Sequence, residues 1–188
     1  MKTARFRITG SYAVMFHNPA AMQRPAGTMK VKTIPEPEEE AAQAVYRTLD
    51  GLYYGPAVGL RNALVDGASD MRIGRKSASK LLDRSVFVTH EECVLCDPDT
   101  GEPLTSYEVD LRRVVIQDQG IQRARPKFPH WQTEIDLEYD EDVVTPTAIL
   151  EAFKRAGRIV GWGEFRPKAK KGKGGPFGRF TTELIEGE

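Results

Sequence analysis

Between Thr133 and Tyr139 two kinds of residue alternate: Thr133, Ile135, Leu137 and Tyr139 fall on one side, Glu134, Asp136 and Glu138 on the other. Successive side chains of a strand point to opposite faces, so this run predicts a sheet with one face on a core and the other in solvent. The segment that follows carries a full set of helix signals. Thr145 stands at the N-cap and Pro146 at the first helical position, Ile149, Leu150 and Phe153 share a face, and Gly157 is placed to end the helix. A half-solvated sheet joined to an amphipathic helix points to an α+β chain.

The rest of the chain extends this pattern. Arg5 to Phe16 has the period of a half-buried strand, with Phe6, Ile8, Tyr12 and Val14 on even positions and Arg5 and Arg7 opposite. Residues 17–37 contain Pro19, Pro25, Pro35 and Pro37 with Gly27, and are expected to form a long loop or an extruded hairpin. Helices are expected from Glu38 to Leu49, from Pro56 to about Ala68, and from Arg72 to Asp83. Arg84–Leu95 and Tyr107–Gln117 are rich in β-branched and aromatic residues and flank the turn Asp97-Pro98-Asp99-Thr100-Gly101, which predicts a hairpin between them. Gln122–Tyr139 continues as extended chain interrupted at Pro126 and Pro129, and Ile159–Phe165 and Phe177–Ile185 are the expected last strands. The resulting order accommodates a β-α-β-β-α-β ferredoxin-like core with extra strands in a single domain.

With 188 residues and 40% hydrophobic content the chain is long enough to bury a core, and disorder over its whole length is excluded. No window approaches a membrane span and the N-terminus lacks the apolar run of a signal peptide, so a cytoplasmic protein with no membrane partner is expected. The 27 Lys/Arg balance 27 Asp/Glu, but the charges are segregated. Acid gathers at Glu36–Glu40 and Glu134–Asp142, base at Arg72–Arg84, Arg123–Lys127 and near the C-terminus. Local potential rather than net charge attracts an anionic partner.

The densest base lies in a glycine-rich loop over 166–179, where Arg166, Lys168, Lys170, Lys171, Lys173 and Arg179 are accompanied by no acidic residue. Glycines let a backbone approach a ligand closely, amides there can donate to phosphate oxygens, and lysines neutralise them. Trp162, Phe165, Phe177 and Phe180 flank the loop. No Gly-x4-Gly-Lys-Ser/Thr occurs, so nucleotide hydrolysis has no support. The second strip, Arg123-Ala124-Arg125-Pro126-Lys127-Phe128-Pro129-His130-Trp131, interleaves cations with aromatic rings, as single-strand binders do; equally, its rings fit a core and its cations an edge strand.

His90, Cys93 and Cys96 have the spacing of zinc ligands, but no second ligand pair follows, and a turn between strands accounts for the same residues. No cofactor is expected. Of the three histidines, His17 is the candidate acid or base, because the end of the first strand can lie near the C-terminal loop. No nucleophile arrangement accompanies it, so binding is favoured over catalysis.

Gly55-Pro56-Ala57-Val58-Gly59-Leu60-Arg61-Asn62-Ala63-Leu64, the helix ending Ala156-Gly157, the segment Ile159-Val160-Gly161-Trp162-Gly163 and the glycine-rich loop closing on Gly178-Arg179-Phe180 resemble the RAMP superfamily of CRISPR-associated RNA-binding proteins. Asn62 stands where that family has glycine. The resemblance implies a ferredoxin-like fold that binds RNA, commonly as a repeating subunit along a guide and less often as a metal-independent endoribonuclease; a small phage-borne or stand-alone relative fits the chain length. RNA or single-stranded DNA is the expected partner, with Arg166, Lys168, Lys170, Lys171, Lys173 and Arg179 on phosphates and Arg5, Arg7, Arg61, Arg123, Arg125 and Lys127 extending the track. The segregated charges suggest head-to-tail assembly into a homo-oligomer or ribonucleoprotein. The alternatives are an endoribonuclease using His17, and a phage factor that binds a CRISPR or other protein complex.

Overall fold

The computed structural model describes residues 1–19, 35–116, 119–168 and 174–187. Its main sheet contains β1 (Lys2–Gly10), β6 (Val86–Val88), β10 (Gln132–Tyr139) and β11 (Phe180–Gly187) in the order β11-β1-β10-β6, every neighbour antiparallel. The alternation that marks β10 in the sequence has its expected effect. Ile135, Leu137 and Tyr139 are buried together with Ala4, Phe6 and Ile8 of β1, while Arg5, Arg7, Glu134 and Asp136 lie on the outer face.

Two helices cover the inner face. α2 (Ala57–Gly67) buries Leu60, Ala63 and Leu64, and α4 (Pro146–Ile159) buries Ile149, Ala152 and Phe153. Phe153 packs on Phe6 at 5.4 Å between ring centroids, tying helix to sheet. Thr145 caps α4 by accepting from the Ala148 N–H at 3.2 Å, as its position in the sequence predicts. Gly67 brings the two helices close: a Cβ there would lie 2.6 Å from the Ala152 carbonyl oxygen.

The second layer is a sheet of β2 (Val14–Met15), β8 (Glu108–Ile116) and β9 (Gln119–Phe128) in the order β2-β9-β8, against which α1 (Pro37–Ala44) packs. Smaller pairs join β3 (Tyr54–Pro56) to β7 (Glu92–Val94), and β4 (Arg72–Ile73) to β5 (Lys76–Ser77), which leads into α3 (Ala78–Ser85). The protein is thus a mixed α+β chain of antiparallel sheets and, among the described residues, four α-helices. None of those helices is long and apolar enough to cross a membrane.

Several sequence expectations fail for identifiable reasons. The helix expected to reach Leu49 ends at Ala44, because a turn around Gly51 (φ 85°) carries Thr48 and Tyr46 back onto Leu52 and Tyr54. The helix expected from Arg72 starts at Ala78, since Gly74 (φ 60°) first turns the chain through the β4/β5 hairpin. Arg84–Leu95 does not pair with Tyr107–Gln117; β6 joins β10, β7 joins β3, and β8 joins β9 with Glu108 opposite Lys127. Alternation identifies strands but not their partners. Pro126 interrupts nothing, because it falls just beyond the short β2 pairing, where a missing N–H need break no ladder bond.

Gly157 does not end α4, which continues to Ile159. Its lack of a side chain serves packing instead: a Cβ would lie 1.9 Å from the Phe180 carbonyl oxygen as β11 crosses the helix. Ile159–Phe165 is not a strand either. Gly161 (φ 75°), Gly163 (φ 82°) and Phe165 (φ 53°) all take left-handed backbone conformations that no strand accommodates. Of the loop expected over 17–37, residues 20–34 lie outside the described residues.

Candidate nucleic-acid interface

The glycine-rich region begins as a turn clamped to the end of the first strand pair. Trp162 is buried, donates from its indole N–H to the Pro56 carbonyl at 3.2 Å, and meets Phe16 edge-on at 4.8 Å. Around it the backbone makes three long-range bonds: the Glu164 N–H donates to Met15 O at 2.8 Å, the Gly178 N–H to Ala13 O at 2.8 Å, and the Trp162 N–H to Gly178 O at 2.9 Å. Only glycine fits at 178, where φ is 66° and a Cβ would sit 1.7 Å from the Trp162 carbonyl oxygen. Residues on both sides of the loop are thereby held against Ala13–Met15, beside β9.

This docking assembles a cluster of cations and rings. Arg125 is 8% exposed, its guanidinium carbon 5.0 Å from the centre of the Phe165 ring and its Nη2 3.7 Å from Glu164. Its Nε and Nη1 are buried without a hydrogen-bond partner, as is His17 Nδ1. Arg112, opposite Arg123 in the β8/β9 register, lies 4.5 Å over Phe177 and 5.5 Å from Phe165, and pairs with Asp110 on its own strand. Arg123 pairs with Glu40 of α1 at 2.8 Å, and the other Glu40 oxygen accepts from the Ala124 N–H. Burial first, and the Arg125 charge second, push the His17 pKa below its usual range. Burial likewise lowers that of Arg125, which stays a cation because guanidinium does not deprotonate in proteins.

The structure thus brings together His17, the β9 cations and the start of the glycine-rich region. It disposes the other predicted contacts differently. Arg5 and Arg7 are engaged by Asp136 at 2.6 Å and Glu134 at 2.9 Å. Arg61 is a staple: it donates to Asp83 Oδ1 at 2.8 Å and to the Val86 carbonyl at 3.2 Å, tying α2 to the end of α3. Lys127 pairs with Glu108 at 2.6 Å and Lys168 with Asp66 at 3.3 Å. Arg166 donates to the Gly163 carbonyl at 2.8 Å, stiffening the turn, and Arg179 is exposed. Lys170, Lys171 and Lys173 lie outside the described residues. Arg112, Glu164 and Phe165 were not among the residues singled out as ligand contacts; the only sequence signal for Arg112 is its phase with Asp110 on a strand whose partner could not be read.

A cleft of about 580 Å³ opens on the outer face of the main sheet, lined by Arg5, Arg7, His90, Cys96, Glu134 and Asp136 among others. Cys93 is absent from it. That thiol points into the core, where burial pushes its pKa up to about 12. The strand alternation therefore places Cys93 and Cys96 on opposite sides, and among the described residues no three His, Cys, Asp or Glu side chains gather as a metal-ligand set.

No family profile matches the sequence, and no curated protein matches it. Among solved structures the chain is similar to Thermus thermophilus Cas6, with 12% identity, a TM-score of 0.31, and coverage of 97% of this chain and 55% of that one. It is also similar to Cas6 in a product complex, at 13% identity and a TM-score of 0.28, covering 96% of this chain and 50% of that one. The chain spans about half the length of these structures.

Proposed function

We propose that this protein binds single-stranded nucleic acid, RNA in preference to DNA, as a non-enzymatic subunit that assembles along the strand, and that the strand runs from β9 to the glycine-rich loop. The observation that carries the reading is the cluster of Arg112 and Arg125 around Phe165 and Phe177, with Arg123 across the ladder from Arg112 and guanidinium donors of Arg125 left unmet. Arginines beside aromatic rings serve both halves of a nucleotide: phosphate takes the charge and the base takes the stacking surface. Arg166, Lys168 and Arg179 extend the basic surface on one side, and Lys170, Lys171 and Lys173, in the same stretch of sequence, are the further phosphate contacts of this reading. Arg5, Arg7 and Arg61, drawn into internal pairs, contribute less.

The order β11-β1-β10-β6, with α2 between the first two of these strands in the chain and α4 before the last, supports reading the core as ferredoxin-like. That is the fold the RAMP resemblance implies. One observation favours an endoribonuclease as the second reading: His17 lies in the same cluster, with its pKa lowered and so neutral at physiological pH, the state a general base requires. Under that reading His17→Ala abolishes cleavage and spares binding.

The test is fluorescence anisotropy of labelled RNA and DNA of ~30 nucleotides over a salt series, comparing wild type with a Lys170→Ala/Lys171→Ala/Lys173→Ala triple variant. The expected result is tighter RNA than DNA binding, with the log-log salt slope reduced by about 2 in the variant, as three lost contacts to a single strand require. Absence of salt-sensitive binding to either strand overturns the reading.

A further inference from the structure

Among the described residues the buried polar side-chain atoms without a partner are His17 Nδ1, Arg125 Nε, Arg125 Nη1 and Thr182 Oγ1, and the first three belong to the junction of β9 with the glycine-rich region. A guanidinium has five donors in a planar fork, and leaving them unmet away from water is strongly unfavourable. The surroundings offer little relief. Three carboxylates act on Arg125: Glu164, Glu40 and Asp110. Glu40 is occupied by Arg123 and the Ala124 N–H, and Asp110 is occupied by Arg112. Arg123 adds repulsion, and of the three carboxylates only Glu164 is not already engaged by another donor.

Glu164 alone is uncommitted. Its carboxylate stands 3.7 Å from Arg125 Nη2, outside hydrogen-bond reach, and its side chain is 45% exposed, so it has solvent to turn into. The next residue, Phe165, lies against the same guanidinium and is the only non-glycine with positive φ among the described residues. A side-chain-bearing residue held in that region stores strain that a change of turn releases.

We propose that Glu164 is an internal stand-in for a phosphate group on Arg125, and that ligand binding exchanges the carboxylate for the phosphate. The fork of a guanidinium donates to two oxygens of either group in the same geometry, and a phosphate brings additional oxygens to accept from the donors now unmet. Glu164 and Phe165 turn outward together as the phosphate enters. The inference rests on the nucleic-acid reading above for the identity of the ligand, one phosphate of the bound strand, and sharpens it: affinity is set by competition at one arginine as well as by surface charge.

The experiment is a double-mutant cycle of Glu164→Gln and Arg125→Lys, read by anisotropy with single-stranded RNA. In parallel, inorganic phosphate is titrated into the wild type and Glu164→Gln while the Arg125 Nε–H signal is followed by NMR. Glu164→Gln should tighten RNA binding at least ~5-fold with Arg125 present, and the gain should vanish in the Arg125→Lys background. RNA binding that ignores Glu164, or that gains equally in both backgrounds as loss of any negative charge would produce, overturns the exchange and leaves the nucleic-acid reading standing. If no variant binds RNA, that reading falls and phosphate decides the inference. A saturable Arg125 shift, reached at lower phosphate in Glu164→Gln, supports the site for a small phosphate ligand, and no shift overturns it.

Discussion

On the outer face of β1 and β10 each arginine has a carboxylate directly across the ladder, Arg5 opposite Asp136 and Arg7 opposite Glu134, whereas on β8 and β9 the register sets Arg112 opposite Arg123. Opposite charges in facing positions stabilise a sheet and like charges destabilise it, so the first arrangement is complete in itself and the second is not. The acids at the junction are divided among several cations: Asp110, which faces Arg125 in the register, is engaged by Arg112, Glu40 of α1 is engaged by Arg123, and Glu164 of the turn after α4 stands 3.7 Å from Arg125. That still leaves Arg125 short of acceptors. The contrast teaches that counting cations finds two basic regions here, while the pairing register decides which of them has charge to spare for a ligand.

The comparison breaks most visibly if the docked turn is dismantled. Gly178→Ala places a Cβ 1.7 Å from a backbone carbonyl at φ 66°, a clash that nothing flexible can relieve. It should lower stability by about 3 kcal/mol in urea denaturation and weaken RNA binding, because the turn carries Glu164 and Phe165. Gly51→Ala is the matched control, with φ 85° but open space around the new Cβ, and should lose only ~1 kcal/mol and leave RNA affinity unchanged. Equal losses at the two positions would mean that the turn is not clamped to Ala13–Met15 and that the cluster is not preformed.

How much of this was legible before the fold is uneven, for physical reasons. The β10 strand and the start of α4 were readable because their signals are local: alternation over Thr133–Tyr139, and a threonine followed by a proline. The Ile159–Phe165 segment misled because Ile159 and Val160 favour strands, while in the fold Gly161 turns the chain out of α4 with its N–H on the Ala156 carbonyl, and Trp162 and Glu164 bond to distant Gly178 and Met15. At the candidate site the sequence revealed Arg123, Arg125 and Lys127 as cations and His17 as a possible neighbour of the C-terminal loop. It could not reveal that Arg5 is neutralised by a residue 131 positions away, or that Arg112 faces Arg123, since both depend on which strands pair.

A smaller effect sharpens the contrast from the other side. Arg5→Gln with Arg7→Gln removes two formal charges from the main sheet, as many as Arg123→Gln with Arg125→Gln removes from the junction. If register decides availability, the first pair changes RNA affinity less than ~2-fold at fixed salt, while the second weakens it at least tenfold and flattens the salt slope. Equal losses from the two pairs would show that affinity follows total charge and that the internal pairs of the outer face open readily.

The smallest expected effect separates the two regions along the pH axis. His17 is held partly buried beside Arg125, so its folded pKa lies below the ordinary value of 6.5; below that pH the unfolded chain takes up a proton that the folded junction resists, and stability falls as pH falls. Asp136 is held down by the hydrogen bond from Arg5, which outweighs its partial burial, so its contribution is complete above the ordinary carboxylate value of 3.8 and is lost only as pH falls through the lower folded pKa. Thermal unfolding followed from pH 8 to pH 3 should therefore show two losses, the one nearer neutrality removed by His17→Gln and the more acidic one reduced by Asp136→Asn. A single loss below pH ~4, unchanged by His17→Gln, would mean that His17 does not feel the Arg125 charge and that the junction is more open to water than its unmet donors imply.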